Sequence, residues 1–413
     1  MTQIPQVALI GAGYRGNAYG DIALKNPHLM KFVAVCDIKP DAVAAFASKH
    51  GIAPENCFSD SITMLNTLKN IDAVVVANLD KDHEAVAVAA LDRKFNVLLE
   101  KPMASTVAAC QRMAEASERN QRFLMICHVL RYTPFFAKIK ELIENQTFGS
   151  VQSIRASENI GYYHHSHSYV RGNFRRLEDG SPLILAKCSH DMDILHWLTD
   201  ETPLRISSFG SLKQFTPENA PQGAAERCLD GCLVEMTCPY SARRIYLGDH
   251  TGWPVSMISV DTSIEARTQA ILNGPYGRCV YHSDNTVVDR QIVGIEFTNN
   301  ITASFEVHAF NKRTERHIHI GGSEGELTGC FEDGSLVIKF FDDRPDMAIQ
   351  IETLAGDHMG GDLRLMEDFA AALRAPFGHE IRTAAHKSVT SHLMALAAEQ
   401  ARVSRKIIEL QRF

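Results

Sequence analysis

Apolar positions along the chain fall into two rhythms. In the first ~130 residues, short runs are apolar at consecutive positions: Val7–Ile10, Phe32–Cys36, Ala73–Ala77, Val97–Leu99 and Phe123–Cys127. Strands buried on both faces read this way, because neither side of the pleat meets water. Between them lie Ala-rich stretches with helical spacing, Asp41–Lys49, Asp82–Arg93 and Val107–Asn120. Strand and helix alternating predict an α/β domain over residues 1–130, built on a doubly wound parallel sheet.

The rhythm changes near Val151. Val151–Glu158, Leu204–Leu212, Ile292–Phe297, Ala303–Val307, His317–Ile320 and Leu336–Phe340 read as strands. Turn pairs separate several of them: Asn299-Asn300, Gly321-Gly322 and Asp333-Gly334. Two helical stretches close the chain, Gly361–Arg374 and Ala384–Leu410. Residues 131–413 are therefore predicted to form an α+β domain with a large, open, mostly antiparallel sheet, its last helices packing back on the first domain. A length of 413 residues suits two cores better than one.

A net charge of -7 gives no general reason for a nucleic-acid or acidic-membrane partner. The opening MTQIPQVALIGAG has no basic n-region, and its apolar run stops at glycines, so it reads as a first strand. No run approaches the ~20 apolar residues of a bilayer span. A cytoplasmic protein is expected. Most of the ten cysteines, such as Cys36, Cys127 and Cys279, stand alone in apolar surroundings and read as buried free thiols. Cys228, Cys232 and Cys238 instead fall within 11 residues, with Gly231 and Pro239 between and after them. Two readings stay open: a structural metal knuckle, most plausibly zinc, with its fourth ligand elsewhere, or three semi-buried thiols. An iron–sulfur cluster would need the same missing ligand.

Gly11-Ala12-Gly13-Tyr14-Arg15-Gly16 follows the first strand and opens a helix. The first glycine permits a tight turn and the second lets backbone approach a pyrophosphate. The third allows close helix–strand packing, while the helix N-terminus offers free N–H groups. Asp37 ends the second strand, where a carboxylate accepts the ribose hydroxyls of NAD and repels the extra phosphate of NADP. The N-terminal domain is therefore read as a Rossmann domain that binds NAD in preference to NADP, although Lys39 lies nearby.

Three further motifs carry a family resemblance: Glu100-Lys101-Pro102 after the fourth strand, Arg131-Tyr132-Thr133-Pro134 after the fifth, and the helix-opening Ser189-His190-Asp191-Met192-Asp193. With the glycines they resemble the Gfo/Idh/MocA family of NAD(P)-dependent sugar and cyclitol oxidoreductases, over nearly the whole chain. The resemblance implies that Lys101 lies beside the nicotinamide and that His190 hydrogen-bonds the reacting hydroxyl, with Asp191 on the substrate. It also implies a cis peptide before Pro102. Cofactor contacts are assigned to Gly11, Gly13, Tyr14, Arg15, Gly16, Asp37, Asn78, His83, Glu100 and Lys101. Asp357–Asp362 resembles the family's loop over the sugar, with His358 as a substrate contact. A homodimer or homotetramer through the open sheet face is implied as well. One departure stands out: the family's aspartate four residues before the histidine is Ala186 here, followed by Lys187. Lys187 becomes a candidate replacement in proton handling.

Residues 162–176 hold three histidines, three tyrosines and three arginines. Such side chains suit a polyhydroxylated or anionic ligand, and His164, His167, Tyr169 and Arg171 are the candidate substrate contacts. A metal pair from His164 and His167 lacks a carboxylate motif to complete it. The resulting reading is an NAD-dependent oxidoreductase acting on a sugar, sugar acid or glycoside. Its rival is a redox-neutral NAD-dependent glycosidase working by oxidation at C3, elimination, water addition and re-reduction, possible on an anionic sugar. A non-catalytic NAD-binding regulator is a third reading, disfavoured by the presence of both Lys101 and His190.

Overall fold

In the computed structural model, residues 4–352, 357–375 and 378–410 are described. The chain divides into two compact units. The first joins Met1–Gly149, Ser189–Glu201 and Ile349–Leu396; the second joins Ser150–Cys188, Thr202–Ala348 and Ala397–Phe413. The division is thus interleaved rather than a single cut at residue 130. The helix that opens with His190 groups with the first unit.

The first unit carries six parallel strands: β1 (Gln6–Ile10), β2 (Lys31–Cys36), β3 (Cys57–Phe58), β4 (Ala73–Val76), β5 (Asn96–Leu99) and β6 (Leu124–Ile126). Their order is β3-β2-β1-β4-β5-β6, the doubly wound dinucleotide-binding order. Alternate residues of the continuous apolar strands feed two different cores. Ala8, Ile10, Val74, Val76, Val97 and Leu99 pack on one face, under the helices His83–Asp92 and Val107–Asn120. Val7, Leu9, Ala73, Val75 and Leu98 pack on the other, where Leu365, Met366 and Phe369 of the helix Gly361–Arg374 join them.

In the second unit lies a nine-stranded sheet. Its strands are β7 (Val151–Gly161), β8 (Pro203–Ser211), β9 (Arg290–Phe297), β10 (Thr302–Asn311), β11 (Glu315–Gly322), β12 (Gly325–Cys330), β13 (Ser335–Phe340), β14 (Met347–Gln350) and β15 (Ile408–Glu409). The order is β14-β13-β12-β11-β7-β10-β9-β8-β15. β7 and β10 pair in parallel, whereas the other described pairs are antiparallel. β10 shows the one-sided pattern: Ala303, Phe305 and Val307 are buried, and Thr302, Ser304 and Glu306 are exposed. The last helix is shorter than its sequence pattern. The last helix runs Ala385–Ser404 and stops there; Arg405, in the left-handed region at φ 57°, turns the chain into β15. The segment after β7 is a short helix, Tyr162–His165, running into a π-type turn over Ser166–Arg171.

Candidate active site

The glycine turn has the geometry that a phosphate cradle requires. Gly11 sits at φ 93°, and a Cβ there would meet the Ala77 carbonyl carbon at 2.5 Å. A Cβ on Gly16 would meet the Gly11 carbonyl oxygen at 2.0 Å, so both positions are closed to any side chain. Gly13 is different: a Cβ would find nothing within 4 Å. It caps the helix Tyr14–Lys25 without a side-chain bond. Open space in front of bare helix-terminal N–H groups fits an anionic pyrophosphate. Asp37 stands beside this turn, accepting hydrogen bonds from Ala12 N at 2.8 Å and Lys39 N at 2.9 Å. These residues fit a dinucleotide.

Three of the expected cofactor contacts, Arg15, Glu100 and His83, bond within the protein. Tyr14 is 39% exposed at the first turn of the helix. Arg15 points its guanidinium into the protein, donating to Glu100 Oε1 at 2.7 Å, to the Tyr19 hydroxyl at 2.8 Å and to Asp362. Glu100 is buried and also accepts from the Tyr19 hydroxyl and from Lys101 N. Burial works against its ionisation, but the Arg15 guanidinium and these hydrogen bonds prevail and hold its carboxyl below the usual range. His83 is buried and braces the chain, its Nδ1 against Pro102 O at 2.8 Å and its Nε2 against Asn78 O at 3.2 Å. Arg15, Glu100 and His83 are therefore positioning residues for the turn that carries Lys101, not open anion hooks. The Lys101–Pro102 peptide is cis, as the resemblance implied.

Further partners of this turn had no signal in the sequence. His392, on the last helix, is fully buried; its Nε2 accepts from Met103 N at 2.7 Å and its Nδ1 faces Ser388 O at 2.8 Å. That pair of bonds requires a neutral ring with its proton on Nδ1. Burial pushes His392 down to about 4, which keeps it so. His128, also fully buried, is pushed down to about 3 by burial. Its ring lies 6.0 Å from that of His190 and 5.6 Å from that of His392. The Lys101 ammonium is close enough to both His128 and His392 to disfavour their protonation.

His190 is buried at the start of the helix Ser189–Thr199. Two carboxylates follow it on the same helix, Asp191 and Asp193, both buried. Asp193 fixes the helix: Arg131 donates to it twice, at 2.6 and 2.7 Å, in a two-pronged buried pair. On its other side His190 faces His358, with ring centroids 5.7 Å apart. His358 sits in the left-handed region at φ 48°, and its Nδ1 lies 2.9 Å from Asp362 Oδ2. Lys101, His190, His128, His358 and the Arg15–Glu100–Asp362 network thus share one polar region of the first unit, at the carboxyl ends of β1, β4 and β5. Ligands bind there in open doubly wound sheets.

The candidates in the second unit divide. Arg171 is fully buried and donates to Arg278 O at 2.7 Å and Tyr240 O at 2.7 Å, so it is not a substrate fork. His167 is buried, hydrogen-bonded to the Tyr246 hydroxyl at 3.0 Å and stacked on Tyr276 at 4.7 Å. Tyr169 is buried under the ring of His165 at 5.4 Å. Within this unit these three serve the interior. Arg175 and Arg176 are paired with Asp284 and Glu178. His164 keeps partial exposure, its ring edge-on to Trp253 at 4.6 Å. Lys187 forms an ion pair with the buried Glu158 at 2.9 Å, and Arg316 pairs with the other Glu158 oxygen at 2.6 Å.

All ten cysteines are free thiols. The expected three-cysteine knuckle is not closed: no three of its sulfurs lie mutually within 4.8 Å. Among the described residues only Glu315, His317 and Cys330 bring three ligand atoms that close. No helix of the described residues is long and apolar enough to cross a membrane.

The strand order and the glycine cradle together define an NAD-binding Rossmann domain. Residues 6–128 match the oxidoreductase family described as having the NAD-binding Rossmann fold, and residues 136–244 match the Gfo/Idh/MocA C-terminal domain. The chain belongs to the Gfo/Idh/MocA family. It is 25% identical to YteT of Bacillus subtilis over 288 residues, 66% of either chain. An inositol 2-dehydrogenase of Salmonella typhimurium is 28% identical over 198 residues, 48% of this chain and 55% of that one. The chain thus spans no more than about two thirds of the length of the curated relatives it matches, and 39% of one of them. Among solved structures, levoglucosan dehydrogenase in complex with NADH and L-sorbose superimposes with a TM-score of 0.75 at 17% identity, covering all of both chains. An oxidoreductase of Agrobacterium radiobacter, in complex with NAD+, L-tartaric acid and magnesium, gives 0.72 at 15% identity over 98% of each chain.

Proposed function

We propose that the chain is an NAD-dependent dehydrogenase of a small polyhydroxylated compound, a sugar or cyclitol in its neutral form. The observation that carries this reading is the pairing, in one unit, of the open Gly13 cradle with the partly buried Lys101 and the buried His190. Inositol 2-dehydrogenase and levoglucosan dehydrogenase among the similar proteins support the substrate class. The arginines of residues 171–176 are all engaged, Arg171 in the interior and Arg175 and Arg176 in surface ion pairs, so they give no support to an anionic substrate. Asp37, already bonded through both oxygens to the glycine turn and to Lys39 N, favours NAD over NADP.

Bound NAD would supply the hydride acceptor. The chain's own residues would manage the proton. Removing a hydride from a carbinol carbon requires the hydroxyl proton to leave. His190 would accept it while the Lys101 ammonium stabilises the developing negative oxygen. Glu100, fixed by Arg15 and Tyr19, orients the Lys101 turn. Arg131, through Asp193, orients the helix of His190. Lys187 and Glu158 form a second proton-bearing pair that takes the place of the missing carboxylate at Ala186. His164 and His358 are the proposed substrate contacts that remain. The outer face of the second unit's sheet exposes the cross-strand pair Phe209 (75%) and Ile292 (51%), which supports a homo-oligomer through that face.

The test begins with cofactor choice. NADH should raise its fluorescence on binding at concentrations at least about tenfold lower than NADPH, and Asp37→Ser should erase that preference. Equal affinity for the two in the wild type would contradict the role of Asp37.

A further inference from the structure

Four cysteines of the second unit line one small internal space: Cys228, Cys232, Cys238 and Cys279. Arg171 and Glu235 complete its wall. The space takes about one water-sized sphere, too little for an organic ligand or a cluster of several iron atoms and enough for one ion. Cys228 and Cys279 are buried; Cys232 and Cys238 are partly so.

The backbone around these thiols is arranged for sulfur that accepts hydrogen bonds. The Ala242 N–H points at Cys228 Sγ at 3.4 Å. Two residues beyond Cys238, the Tyr240 N–H faces its sulfur. The Tyr281 and His282 N–H groups face Cys279 in the same way. A neutral thiol is a weak acceptor, whereas a thiolate uses several such donors well.

Charge makes the same point independently. Arg171 is fully buried, and its described partners are two carbonyls, the Tyr246 hydroxyl and, at 3.6 Å, Cys228 Sγ, none of them a carboxylate. Its Nη1 is buried without a partner. A guanidinium in this position needs an anion, since an uncompensated buried charge is strongly unfavourable. Glu235 does not fill the role, being paired with Arg243 at 2.7 Å.

We propose that Cys228, Cys232, Cys238 and Cys279 hold one zinc ion as a structural four-thiolate site, with Arg171 as its buried counter-charge. Binding replaces four S–H bonds with four Zn–S bonds and releases four protons; no electron is transferred. The product carries two negative charges beside Arg171. Zinc suits four soft thiolates in a tetrahedral shell. Zn–S bonds of about 2.3 Å place the sulfurs about 3.8 Å apart, closer than they stand, so rotation about the cysteine Cα–Cβ bonds accompanies binding. Because binding releases the thiol protons, affinity falls as pH drops.

The full-length chain, produced with zinc in the medium and purified without chelator, is expected to hold one zinc per chain by elemental analysis. After chelation under reducing conditions, added Co2+ should give the intense sulfur-to-cobalt absorption and visible bands of a tetrahedral thiolate site. Cys279→Ser should weaken the metal at least about tenfold while NADH binding persists. Cys330→Ser should leave it unchanged. Substoichiometric zinc together with no thiolate absorption from Co2+ in the wild type would overturn the proposal, whatever the variants do. So would metal lost from Cys330→Ser and kept by Cys279→Ser, which would place the ion at Glu315, His317 and Cys330. An iron–sulfur absorption spectrum in the purified protein would overturn the single-ion assignment.

Discussion

Lys101 owes its place to groups that never touch a substrate. Its own N–H donates to Glu100 Oε2 at 3.0 Å, and Glu100 is held in turn by Arg15 and Tyr19. On the far side of Pro102, the neutral His392 takes the Met103 N–H. Removing the ammonium while leaving this frame intact isolates its chemistry. Lys101→Ala should lower kcat by about 10²–10⁴-fold, the range for a lost proton-transfer group, with NADH affinity nearly unchanged. A comparable loss in NADH affinity, read by fluorescence titration, would show that Lys101 serves cofactor binding instead. Glu100 and Lys101 were legible in the sequence as a motif. His392 was not, because a histidine in an Ala-rich helix carries no sign of which backbone amide it meets.

At the scale of elements, the buried Arg131–Asp193 pair ties the start of the second half of the first unit to the helix that bears His190. Breaking it leaves an unpaired charge in the interior. Asp193→Ala should therefore cost about 3–5 kcal/mol in urea denaturation, whereas the double change Arg131→Met with Asp193→Leu should recover most of that stability. If the single variant loses less than about 1 kcal/mol, the pair does not hold the helix. Both residues lay in motifs visible in the sequence, Arg-Tyr-Thr-Pro and Ser-His-Asp-Met-Asp, but their partnership is a fact of folding. The same contrast runs through the strands. β1, β2, β4, β5 and β6 could be read because burial on both faces makes them continuously apolar. β3 is only Cys57–Phe58, β12 is diluted by Gly325 and Gly329, and β15 follows a helical pattern that runs past its end. Residues 162–171 misled for a physical reason: His165, His167, Tyr169 and Arg171 are polar types, yet ring stacking and carbonyl acceptors satisfy them in the interior.

Across the whole molecule, both units bury neutral histidines: His128 and His392 in the first, His165 and His167 in the second. Burial pushes them down to about 3, 4, 3 and 4 respectively. In the unfolded chain such rings titrate near 6.5. Above that pH both states are neutral and stability is complete. As pH falls from about 6.5 toward 4, the unfolded chain takes up protons that the fold refuses, and stability drops by up to about 1.4 kcal/mol per pH unit for each ring. The urea midpoint should therefore fall steeply between pH 7 and 5 with little change in slope; a flat midpoint would mean that these rings protonate within the fold. Net hydride transfer at the Lys101–His190 site is the central step of the proposed function. The most direct measurement gives the purified chain NAD+ with a panel of neutral sugars, cyclitols and nitrophenyl glycosides, reading NADH and nitrophenol absorbance together. NADH accumulating with a neutral polyol, without nitrophenol, and lost in Lys101→Ala, is the predicted result. Nitrophenol released with no net NADH would contradict it and make the chain a redox-neutral glycosidase.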